Sequence, residues 1–89
     1  MSNNVIVRKV SVTDAWQKLS ATSLRFTGNI SARTDNDGDV LFRTTIETSV
    51  EVEWEAGEWH SFESVDLATI EVKNGSGSSN VITVAGRGA

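Results

Sequence analysis

The residues whose types and spacing suggest acid–base chemistry are the single histidine, His60, and a run of carboxylates at Glu51, Glu53, Glu55 and Glu58. A general base needs a nucleophile and an orienting acid within hydrogen-bond reach. Nothing around His60 marks either partner, so it reads as a surface or interface histidine. Glycoside cleavage needs two carboxyls facing each other across a cleft, one with a raised pKa. Glu51, Glu53 and Glu55 alternate with Val50, Val52 and Trp54. On a strand that spacing sends the three carboxylates one way and the three apolar side chains the other. The expectation is a core strand with a solvated acidic face, which also suits a contact with a basic patch on a partner.

Two loops resemble ligand loops and fail on spacing. Asp35-Asn36-Asp37-Gly38-Asp39 suggests calcium, but with Gly38 as the sixth residue of an EF-hand loop the first is Arg33 and the twelfth Thr44, where carboxylates are required. It reads as a hairpin turn, since Asn, Asp and Gly tolerate positive φ. The Gly75–Ser79 stretch lacks the Lys-Ser or Lys-Thr pair and the following helix of a phosphate loop, and reads as a mobile hairpin loop. No serine lies in a Gly-x-Ser-x-Gly elbow. Trp16, Trp54 and Trp59 are half of the aromatics. Trp54 is in phase with Val50 and Val52 and is assigned to the core. Trp16 and Trp59 are open to two readings, as packing or interface anchors or as platforms for sugar rings.

The elements that position these residues are strands. Val, Ile and Thr fill 25 of 89 positions, and such side chains favour a pleated surface over a helix. Period-two alternation and recurrent polar turns give about eight short strands, near 4–12, 15–19, 23–33, 39–44, 49–54, 58–63, 69–73 and 80–85. Val5, Val7, Val10 and Val12 alternate with a phase break at Arg8-Lys9, which predicts a bulge or a crossing between sheets. Val65–Ala68 reads as one helical turn. The predicted fold is all-β, a single small β-sandwich or jelly-roll-like domain of antiparallel strands. Residues 1–7 form a polar N-terminal arm and the start of the first strand, 8–86 the sandwich, and 87–89 a tail. Without proline, the sheet edges need shielding by charge, bulges or a neighbour.

Composition narrows the function. One domain of this size is marginal alone and gains from association. The formal charge of −4, with eight scattered Lys and Arg, argues against a nucleic-acid clamp. The lack of cysteine removes thiolate chemistry and Cys-based metal sites, and a lone histidine removes a His-rich one. No cofactor is expected. No apolar run approaches a membrane span, and Met1–Asn4 lacks signal-peptide features. Synthesis in a cytoplasm is therefore expected.

Read in order, the pieces resemble small virion proteins of tailed bacteriophages. The carrying residues are Val10-Ser11-Val12-Thr13 with Trp16-Gln17-Lys18-Leu19, Ile30-Ser31-Ala32-Arg33 followed by Asn36-Asp37-Gly38-Asp39-Val40, Trp54-Glu55-Ala56-Gly57-Glu58, Asp66-Leu67-Ala68-Thr69-Ile70-Glu71-Val72, and Val81-Ile82-Thr83-Val84. The likeness covers about residues 8 to 86. It departs at Trp54, where an aliphatic residue is usual, and in the acidic stretch from Glu47 to Glu55. The resemblance implies a non-enzymatic decoration or cement protein on the capsid surface. Its partners would be the major capsid protein and neighbouring copies of itself, with a trimer favoured. Candidate contact residues are Trp16, Trp59, Glu51, Glu53 and Glu55. The alternative is a carbohydrate- or receptor-binding module on a fibre or tail.

Overall fold

The alternating stretches become eight strands in a computed structural model that describes residues 4–88. They are β1 (Val5–Ser11), β2 (Gln17–Lys18), β3 (Arg25–Ala32), β4 (Val40–Thr44), β5 (Val52–Trp54), β6 (Trp59–Asp66), β7 (Ile70–Asn74) and β8 (Val81–Arg87). One sheet has the order β1-β8-β3-β6 and the other β2-β7-β4-β5, and every pairing is antiparallel. Only the β4–β5 connection stays within a sheet; each of the others passes from one sheet to the other. That order is the jelly roll, a two-sheet sandwich.

The core lies between the sheets. Phe26, Ile30, Ile82 and Val84 come from the first sheet and Val40 and Val72 from the second, with Leu67 closing one end; all seven are fully buried. Burying such a side chain contributes about 1.5–3 kcal/mol each. Leu67–Thr69 is the expected helical turn, in 3₁₀ form. It is capped by Asp66, whose carboxylate accepts from Ala68 N–H, and Ile70 follows directly in β7.

The crossings correct three expectations. The 35–39 and 74–80 segments are not hairpins, because β3 and β4 lie in different sheets, as do β7 and β8. The predicted bulge at Arg8-Lys9 is absent: β1 runs in unbroken register along β8 from Val5–Arg87 to Ser11–Val81. The phase change has another cause. Ile6 and Val12 face the core, while Val5 and Val7 face outward and are largely exposed. The register shift lies instead in the β3–β6 pair, between Phe26 and Gly28, where Ser64 takes a φ of 52° and its N–H bonds the Thr27 hydroxyl. Residues Met1–Asn3 of the expected arm lie outside the described residues.

Gly28 and Gly86 face each other across β3 and β8. The Phe26 ring covers both, and a Cβ at Gly86 would come within 2.7 Å of it. The paired glycines let a large aromatic lie flat on the sheet, with the ring replacing the packing they lack.

Candidate functional site

Strand β5 keeps the predicted alternation, but its apolar face is only partly covered. Trp54 is 5% exposed. It stacks on Phe42 with ring centroids 3.7 Å apart, and His60 and Phe62 of β6 approach it at 4.8 and 6.4 Å. Val50 and Val52, expected in the core, are 48% and 51% exposed. The physical reason is the sheet boundary. β5 and β6 are both edge strands, and beyond β6 the first sheet offers nothing to cover the valines. An apolar groove of about 220 Å³ opens there. Phe42, Val52, Trp54, Phe62 and Ile70 line it, with Arg43 and Glu47 at its rim. Ile46, in the β4–β5 connection, is 88% exposed.

Glu51, Glu53 and Glu55 point away from this groove and are exposed, as the alternation predicts. Just after β5, the chain turns at Gly57 with a φ of 88°. Glu58 closes the turn by accepting from the Glu55 N–H at 3.1 Å and meets the His60 Nε2 at 2.7 Å. The His60 hydrogen bond, and then that from Glu55, hold the Glu58 carboxyl below its usual range. His60 thus has an acid beside it and an aromatic under it. Among the described residues its side-chain polar partner is Glu58, and the pair orients the turn.

The two remaining tryptophans separate. Trp59 begins β6 on the outer face, opposite Ser31, and is 58% exposed. Trp16 is half-buried on the outer face of the second sheet. The Arg43 guanidinium lies 4.1 Å from its ring centre and the Lys73 ammonium 5.3 Å. Arg43 is itself held by Glu71 at 2.8 Å, with both side chains largely covered. Trp16 thus packs against the Arg43–Glu71 pair on this face. Trp16, Trp59 and the three glutamates do not converge on one site.

The two polar loops meet each other, at the end of the sandwich where the chain crosses between sheets. Asp37 Oδ1 accepts from the N–H groups of Ser78 and Ser79, both at 3.0 Å. Asn36 exchanges two hydrogen bonds with the backbone of Val81, as a strand neighbour would. Buried Asn80 accepts from Gly38 N–H and donates to Ser76 C=O and Asn74 Oδ1. Asn36 and Asp37 tie the acidic loop to Val81 and to the Ser78 and Ser79 amides of the Gly/Ser loop. Among the described residues no group of His, Asp and Glu is arranged to hold a metal ion, and no helix is long and apolar enough to cross a membrane.

Sequence reasoning missed the groove and the outward Val5 and Val7. A partial signal was present, because Ile46 and Val50 flank the polar Glu47-Thr48-Ser49 connection and so cannot all reach a core. Comparison with family models, curated proteins and solved structures finds no match for this chain.

Proposed function

We propose that this chain is a structural virion protein that binds the outside of a phage capsid and stabilises it through contacts with the major capsid protein and with copies of itself. The reading is non-enzymatic. The observation that carries it is the uncovered groove between the sheets, lined by half-exposed Val50 and Val52, with Ile46 exposed in the adjoining β4–β5 connection. An exposed apolar groove marks a protein contact, and exposed Trp59 is of the residue type that frequently anchors such contacts. The jelly roll supports it by analogy only, since viral capsid and lectin domains share that architecture with other functions. The ordered motifs quoted above support it as a resemblance.

The test is composition of purified particles. The chain is expected at near-capsid copy number, and Val52→Asp is expected to release it while the isolated variant stays folded, because that side chain is already half in water. Particles that lack the chain would overturn the reading.

Exposed Trp59 supports one other reading, a carbohydrate-binding module. Glycan-array binding that disappears in Trp59→Ala and survives Val52→Asp would favour it over the capsid reading.

A further inference from the structure

Among the described residues the first sheet has two open edges, β1 and β6, and they carry opposite charge. β1 holds Arg8 and Lys9, whereas β6 holds Glu63 and follows Glu58. Ladder parity decides which backbone groups are free. Val12 N–H donates to Asn80 and Gly88 N–H to Asn4. The even residues of β1 therefore bond β8, and the N–H and C=O groups of Val5, Val7 and Lys9 turn to the open side. Ala32 N–H donates to the Glu58 carbonyl, so by the same parity Trp59, Ser61 and Glu63 turn theirs outward. Arg25 closes the far end of β6 by donating to the Ser64 carbonyl at 2.8 Å.

We propose that β1 of a second copy adds to β6, so that the first sheet continues from one copy to the next. Direction allows it. Three antiparallel steps separate β1 from β6, so a copy turned about an axis along the strands brings its β1 antiparallel to β6. Charge selects it. Pairing β1 with β1 sets cations on cations, and pairing β6 with β6 sets carboxylates on carboxylates; only the unlike edges join opposite charges. Arg8 is exposed although it lies on the core-facing phase of β1, and such a charge on an edge strand discourages like-with-like pairing. Apolar surface agrees. Val5 and Val7 share the outer face with Trp59, and the groove opens beside β6, so an added strand lies across its mouth. The contact is head-to-tail, so its closed product is a ring such as a trimer.

This inference deepens the proposed function by naming how copies meet, and it needs no capsid. Sedimentation of the pure full-length chain tests it. The wild type is expected to associate with rising concentration. With Ser11, Lys9 and Val7 of one copy set against Trp59, Ser61 and Glu63 of the next, a register the same parity allows, Lys9 lies diagonal to Glu63 on the outer face. Lys9→Glu and Glu63→Lys are each expected to weaken association by about tenfold or more, and the double swap to restore it. Val7→Pro removes an N–H that β8 does not use, a position where an edge strand accepts proline. It is expected to remain folded by circular dichroism and to sediment as a monomer; should it unfold, the charge swap still decides. A wild type that is monomeric at every accessible concentration, or a double swap that does not recover, overturns the inference. A chain that self-associates by these rules but is missing from particles keeps this inference and removes the capsid reading.

Discussion

Asn80 shows how much one buried side chain can hold. It is 2% exposed, and its amide reaches both polar loops through Gly38, Asn74 and Ser76. Asn80→Ala leaves these partly buried partners without their bonds. The expected cost is about 1–3 kcal/mol, read from urea unfolding midpoints; a loss below the error of that measurement would show that water replaces the amide. Asp66 makes a second residue-scale case. Its carboxylate accepts from Leu24 N–H, the Ser23 hydroxyl and Ala68 N–H, with Arg25 nearby, and these bonds hold its pKa below the ordinary 3.8. A depressed folded-state value means that the stability contributed is complete above 3.8 and is lost as pH falls through the folded value. Stability is therefore expected to fall on the acid side, with lowered Glu58 contributing in the same sense. Asp66→Asn should be less stable at neutral pH and show a shallower acid limb in unfolding midpoints taken across pH. An unchanged acid limb would assign it to other carboxylates.

At the scale of elements, the crossing loops behave as parts of the sandwich. Ser78 and Ser79 lie in a run of glycine and serine that reads as flexible, yet their amides are held by Asp37. Gly77 permits this with a φ of 72°, where an added Cβ would strike the Asp37 side chain. Amide exchange is expected to be slow at Ser78 and Ser79 and to become fast in Asp37→Ala, with little change in β3 and β8. Fast exchange in the wild type would mean that the loop opens locally. The strands themselves were legible in the sequence, as was the inward place of Trp54 and the outward place of Glu51, Glu53 and Glu55. Alternation encodes which way a side chain points. It does not encode whether another sheet stands opposite, and so Val50 and Val52 read as core.

At the scale of the whole molecule, the strand order makes folding depend on distant partners. β1 pairs only with β8, the last strand, and β8 also pairs with β3 near the centre of its sheet. Loop closure must precede those contacts, so refolding is expected on the millisecond-to-second scale typical of all-β sandwiches. Stopped-flow fluorescence of Trp54, with Trp16 and Trp59 replaced by Phe, would measure it. A phase complete within microseconds would contradict the dependence on β1–β8 closure.

The sequence by itself determined the strand class, nearly every strand position and the polar turns, because β-branched composition and period two act within a few residues. It left open whether a turn folds back in one sheet or crosses to the other, and which apolar side chains find cover. Those depend on what stands across a gap from residues tens of positions away. Asn36 beside Val81, Trp54 on Phe42, and the uncovered Val50 and Val52 exist only once two sheets have closed on each other.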